Sequence, residues 1–541
     1  MGATGYRYFD SARRIRIRTL FRDPYLPRFG IGSLFQPETC CIALFAHLRF
    51  SQSVSAPVLG YKNLCLCFRI FTQISIQSFF FSVTYAIINR IKAGSTVFIL
   101  ATKMTGQIKK VIIVGAGPSG LLLALRLAQK HIKVTIFEAT PGPSNQPRAT
   151  HYGIPAVWEL RRAGVLDEMR LDPECFQFDV MCWRKLDGTY LSGMDTRDLN
   201  RPGQPYDDRI TVLTLNKVIS VLEKMVARCE TATVKYGHKV LPGVEQDEEK
   251  AWVTIERNDG VVEKHWADYV VGCDGASSQI RRSLFGDKEF PGYTWDHQIV
   301  ATNTYYDFHK YGWEDSNFII DPEHSFMAAR IGVKEPLWRV TYTEVNGLTK
   351  EEIEARQAEK FEIMFPGHPK PGSGEYKVAL TSPYKIHQRC ASSFRVGRYL
   401  LAADAAHLCN PFGGLGLTGG IVDVGGLADC LIGIHEGKTS DKILDEYSRV
   451  RIEKYKTIID PISTENFKRL WGQDPDKVLE NDEFIKLLKA NEGNAELSRK
   501  MQLGSLGILH DFTASFDNNK PTISLPEKVD TSAVTVTPLV T

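Results

Sequence analysis

A β-branched run, Val111-Ile112-Ile113-Val114, passes without a break into Gly115-Ala116-Gly117-Pro118-Ser119-Gly120. Leu and Ala then recur at helical spacing from Leu121 to Lys130, and Val134-Thr135-Ile136-Phe137 makes a second strand ending at Glu138. Strand, glycine turn, helix, strand and acid in this order constrain the chain to a dinucleotide-binding βαβ unit. Each part has a physical task. Gly115 permits the tight turn, Gly117 lets the backbone approach a pyrophosphate, and Gly120 allows the helix to lie close on the strand. Ser119 joins them in the first helical turn, whose free N–H groups face the phosphates. Glu138 stands 18 residues beyond Gly120, at the strand tip, where a carboxylate can accept from both ribose hydroxyls. The unit alone does not choose between FAD and NAD.

Two distant segments make that choice. Tyr269-Val270-Val271-Gly272-Cys273-Asp274-Gly275 is an apolar strand ending in Asp-Gly, with Ser278, Ile280, Arg281 and Arg282 behind it. Leu400-Leu401-Ala402-Ala403-Asp404-Ala405-Ala406-His407 is another strand ending in Asp, and Asn410-Pro411-Phe412-Gly413-Gly414-Leu415-Gly416 then opens a new helix. The first resembles the DGxxSxVR motif of flavoprotein hydroxylases and the second their GDAAHxxxPxxGxG motif. Together with the βαβ unit they resemble the group A flavoprotein monooxygenases, the family of p-hydroxybenzoate, phenol and salicylate hydroxylases, over roughly residues 108–450.

The resemblance implies an α/β chain: a Rossmann-like FAD-binding domain, an inserted antiparallel-sheet substrate domain and a helical C-terminal region. It implies Glu138 on the adenosine ribose, Arg148 near the FAD phosphates with Arg209 as a second candidate, and Asp404 on the ribityl chain. Asp274 would support the fold around FAD, and Pro411, Gly414, Gly416 and Leu417 would border the flavin ring. It also implies a cycle in which NADH or NADPH reduces FAD, O₂ gives a flavin C4a-hydroperoxide, and an electron-rich ring takes its distal oxygen. The expected substrate is a small phenol. Ala403 stands where the family has Gly, Asn410 where Pro is frequent and Thr418 where Asn is common, departures that bear on substrate class.

Between the second and third motifs the pattern changes to strands over 298–308, 317–320, 325–331 and 337–343, with Asp321-Pro322-Glu323-His324 as a turn. This layer would cover the flavin, with Tyr305, Tyr306, His324, Arg330, Trp338 and Tyr342 as pocket candidates. Strand alternation lets only one of Tyr305 and Tyr306 face substrate. His151, close after Arg148, joins Tyr306 and His324 as a candidate for the chemistry. The expected organisation is an N-terminal extension 1–103, FAD-binding segments 104–287 and 386–435, the sheet layer 288–385, and a helical region with a loose tail over 436–541.

Residues 1–103 carry 13 Lys or Arg against 3 Asp or Glu, which leaves 53 against 60 in the rest. A mildly acidic body gives no basic face for nucleic acid. The Arg-rich start is similar in composition to an organellar transit peptide, and the apolar stretch 68–100 is interrupted by Gln73, Ser75, Gln77, Ser78, Ser82 and Thr84, so membrane association is not the favoured reading. The extension reads as dispensable and the protein as cytoplasmic. The 11 cysteines are scattered, with no metal or disulfide framework. Two other readings share the motifs: an FAD-dependent epoxidase or reductase of an apolar terpenoid-like substrate, and a non-catalytic flavin-binding protein.

Overall fold

The computed structural model describes residues 108–143, 149–201, 204–205 and 209–516. The N-terminal extension, the tail after Phe516 and Arg148 lie outside the described residues.

The expected βαβ unit is present: strand Lys110–Val114, helix Pro118–Ala128 and strand Lys133–Phe137, paired in parallel from Lys110↔Lys133 to Val114↔Phe137. These strands are apolar over nearly their whole length because the parallel sheet is covered, by helices such as Pro118–Ala128 and Leu215–Ala227 and by a small antiparallel sheet built on Ala251–Arg257. Ala232–Lys235 and Tyr269–Gly272 flank them, and Tyr399–Leu401 pairs with Tyr269–Gly272 in parallel, giving a six-stranded sheet closed by the antiparallel edge Arg395–Val396. All three motifs therefore end at one edge, the carboxyl ends of neighbouring strands, where open α/β sheets bind ligands.

An eight-stranded sheet forms the second layer. Its central strand, Gly292–Tyr305, pairs antiparallel with Leu337–Val345 on one side and Lys377–Cys390 on the other. Ser316–Ile320 and Phe326–Arg330 continue the sheet, and it then recruits Val180–Lys185 and Tyr190–Asp195 from before the Asp274 motif and His407–Leu408 from after it. The layer thus reaches beyond 288–385, and stitches the two FAD-binding segments together.

Alternation gives this sheet two different faces. Val300, Ile319, Phe326, Trp338, Val340 and Tyr342 form an apolar core with Ile353 and Phe361 of helix Lys350–Met364. Ile299 and Ile320 face the other way, toward Phe412 of the third motif and Phe467 and Leu470 of helix Asp460–Trp471. Helix Leu415–His435 is long and apolar enough to cross a membrane by length and composition, yet almost all of it is buried in the protein core.

Candidate active site

Gly115 sits at φ +102°, and a Cβ there would come within 2.4 Å of the Cys273 carbonyl oxygen. The turn thus crosses directly over the Asp274 motif, which only glycine allows. Gly117 differs: a Cβ built on it meets nothing within 4 Å. It borders open space at the N-terminus of helix Pro118–Ala128, with Ser119 and Gly120 buried behind. Glu138 Oε2 accepts from the Ala116 N–H at 2.8 Å, while Oε1 accepts from the Thr140 N–H and hydroxyl, each at 2.9 Å. The carboxylate is tied to the glycine turn itself.

Asp274 works locally. Its Oδ1 accepts from the Ser278 hydroxyl at 2.6 Å and its Oδ2 from the Gln279 and Ile280 N–H groups at 2.6 and 3.1 Å, capping the helix Gln279–Phe285. Burial raises its pKa against these hydrogen bonds. Arg281 donates to the carbonyls of Ala276 and Ala405 at 2.7 and 3.1 Å, bracing the second motif against the loop that carries Asp404. Asp404 is exposed between buried Ala403 and Ala405, so the loop projects this one side chain out of the core.

The third motif ends in two exposed glycines, Gly413 at φ +112° and Gly414 at φ +65°, and Gly414 caps helix Leu415–His435. Its added Cβ meets nothing within 4 Å. Pro411, Gly416 and Leu417 are half-buried around this helix start, whose free N–H groups and positive dipole end face the open side. Thr418 at the usual Asn position accepts from the Gly153 N–H at 3.2 Å, which joins this helix to the His151 segment.

These features fit FAD: a glycine cradle open to an added Cβ at Gly117, a carboxylate at a strand tip and a projecting aspartate follow the carboxyl ends of one sheet, and the helix that starts after Gly414 comes next in the chain. Arg209 does not add to this set, because its guanidinium is committed to Gln177, Asp179 and Thr196.

The candidates for chemistry separate. His151 Nδ1 lies 2.8 Å from the Thr150 hydroxyl, and its Nε2 has no partner among the described residues. Desolvation, helped by the Arg339 charge, lowers its pKa to about 4, so the ring is neutral near pH 7. Arg339 lies on the same sheet face as Asn303, donates to its Oδ1 at 2.8 Å, and leaves Nη2 unpartnered among the described residues. Tyr306 falls just past its strand, bonds to the Pro366 carbonyl and packs on Phe308, Tyr311 and Phe365. Tyr306, Trp338 and Tyr342 belong to the core on the face away from the flavin loop, so the structure removes them from the pocket. His324 occupies its turn, where its N–H donates to Asp321 at 2.7 Å.

Sequence reading missed the aromatic group that does meet the third motif. Phe412 stacks on Phe467 at 5.0 Å, and Phe467 contacts Trp295 at 5.1 Å, His297 at 5.9 Å and Trp471 at 6.0 Å. Apart from Phe412, which the third motif contains, these residues come from two distant segments that no motif announces.

Comparison with known proteins agrees with this geometry. The chain matches the FAD binding domain family over residues 109–460. It is 37% identical over 382 residues to the para-nitrophenol 4-monooxygenase of Pseudomonas sp. (strain WBC-3), covering 70% of this chain and 91% of that protein. It is 34% identical over 373 residues to the 6-hydroxy-3-succinoylpyridine 3-monooxygenase HspB of Pseudomonas putida (strain DSM 28022 / S16), covering 68% and 90%. The crystal structure of p-nitrophenol 4-monooxygenase PnpA from Pseudomonas putida DLL-E4 superposes with a TM-score of 0.68 at 32% identity, covering 74% of this chain and 98% of that one. The flavin-dependent monooxygenase PieE, solved with FAD and substrate, has a TM-score of 0.60 at 20% identity over 74% and 73% of the two chains, a likeness of fold alone.

Proposed function

Because the chain belongs to the FAD-dependent aromatic monooxygenases, we propose that it uses NADH or NADPH and O₂ to oxygenate a small phenol. When bound, FAD supplies the two-electron and oxygen-activating chemistry, which no side chain here could provide. The observation that carries the reading is that Gly117, Glu138 and Asp404 follow the carboxyl ends of strands in one parallel sheet, with Phe412, in the loop that leads to Gly414, stacked on Phe467.

In this reading the chain binds, orients and dries. The helix start behind Gly117 and the Ala116 turn would hold the pyrophosphate, Glu138 the adenosine ribose and Asp404 the ribityl chain. The N-terminus of helix Leu415–His435 would stabilise negative charge on the flavin ring through free backbone donors. Phe412, Phe467 and Trp471 would flank a planar substrate and keep water out. His151, neutral and with Nε2 unpartnered among the described residues, is a hydrogen-bonding group for the reacting region. Substituted phenols, para-nitrophenol among them, should stimulate NAD(P)H oxidation and yield a product whose mass reflects one added oxygen. Stimulated oxidation giving only H₂O₂ with every phenol would count against the reading.

A further inference from the structure

Trp295, His297 and Trp471 share a property that core residues avoid. The indole Nε1 of both tryptophans and Nδ1 of His297 are buried with no hydrogen-bond partner among the described residues. A buried polar group without a partner has given up its hydration with nothing in return. All three rings contact Phe467, and three unpartnered polar atoms in one aromatic cluster point to a ligand that supplies the missing partners. His297 lies 4.5 Å from Trp471 between ring centroids, and Trp295 meets Phe467 edge-on at 90°.

The backbone shows why they sit here. Thr294 pairs with His387 and Gln298 with Lys385, so Trp295, Asp296 and His297 lie opposite Ile386 alone. This is a bulge in the central strand, a device that re-aims side chains and recurs beside active sites. Trp295 and His297 are turned toward helix Asp460–Trp471, and Asp296 between them is exposed.

We propose that Trp295, His297 and Trp471 form the wall that recognises the substrate's phenolic oxygen, with His297 taking its proton. The assignment rests on the phenol reading above. An indole N–H can only donate, so its ligand atom must be an acceptor. An imidazole with its proton on Nε2 presents a lone pair at Nδ1. The phenol O–H bond breaks, its electron pair stays on oxygen, the proton binds Nδ1, and the two indole donors stabilise the oxyanion. An ionised ring oxygen raises electron density at the carbons to be attacked. Charged groups on the elements packed around His297 are already partnered or solvated. Glu344 pairs with Arg356 and Lys360, Arg469 with Asp482, and His387 bonds to Thr294. Asp296, Lys385 and Lys468 are exposed.

The test uses FAD-loaded Trp295→Phe, Trp471→Phe and His297→Gln, with 4-nitrophenol and its methyl ether 4-nitroanisole as probes. Equal FAD content shows that each variant is folded. Each Trp→Phe change keeps an aromatic ring and removes one donor, so 4-nitrophenolate should bind about tenfold more weakly, while 4-nitroanisole binds as in the wild type. The absorbance of bound 4-nitrophenol should show ionisation moving to higher pH in His297→Gln. Unchanged affinity and unchanged ionisation in all three folded variants would overturn the wall and leave the phenol reading intact. An FAD-loaded wild type that binds no phenol would overturn both.

Discussion

Ala403 adopts φ +57°, a left-handed conformation that costs an alanine roughly 1–2 kcal/mol. A left-handed backbone position of this kind favours glycine. The Ala403 N–H still donates to Asp423 Oδ2 at 3.0 Å, so the turn into Asp404 is formed despite the methyl group. Ala403→Gly should raise unfolding stability by about 0.5–1 kcal/mol, read by chemical denaturation. A loss of stability would mean that methyl packing against Gly420 outweighs the strain. Gly414→Val should do the reverse at the cofactor: a β-branched residue at φ +65° is an outlier, and its side chain would enter space that nothing fills. We expect a lower flavin reduction potential, slower reduction by NAD(P)H and more H₂O₂ per product in FAD-saturated protein. Equality with wild type in all three would remove the loop from the flavin. Glu138→Ala should weaken FAD binding by roughly 1.5–3 kcal/mol, the worth of a charge-assisted hydrogen bond, measured by titrating apoprotein with FAD.

Between elements, one buried cluster ties the Asp404 loop to two helices. Asp423 of helix Leu415–His435 accepts from His407 Nε2 at 2.7 Å and from Arg451 Nε at 2.6 Å, and Arg451 reaches the Ile508 carbonyl at 2.7 Å. Burial alone would raise the Asp423 pKa, but the His407 and Arg451 charges overcome it and hold the carboxyl below its ordinary value. A depressed folded pKa contributes stability above the unfolded value, and that contribution is lost as pH falls through the folded one. Stability should therefore drop on acidification below about pH 4, and Asp423→Asn should flatten that drop. At neutral pH the same variant should lose about 3–5 kcal/mol, because Arg451 keeps a buried, uncompensated charge. Parallel acid profiles for variant and wild type would show that other carboxylates govern the effect.

At the scale of the molecule, every residue assigned to FAD lies after residue 108, so a chain beginning at Met104 should purify yellow with one non-covalent FAD. A requirement for the full 541 residues would show that the extension takes part in folding. The cofactor half of the site was legible beforehand because its parts are local. Gly115 to Gly120, Glu138, Asp274 and Asp404 each need a backbone shape that a strand and the turn after it specify within a few residues. The aromatic cluster proposed to hold substrate was not. Tyr306, Trp338 and Tyr342 looked like pocket residues by composition, but the pleat sends Trp338 and Tyr342 to the face covered by Phe361 and Phe365, and Tyr306, just past its strand, packs there too. Trp295 and His297 owe their aim to a bulge, and Phe467 and Trp471 arrive from a helix more than 150 residues away in sequence. The sequence by itself determined the dinucleotide edge and its cofactor, since hydrophobic period and glycine placement act over short range. Which aromatic rings gather against Phe412 was decided only by the tertiary structure, because strand register and helix packing bring together residues that no local pattern couples.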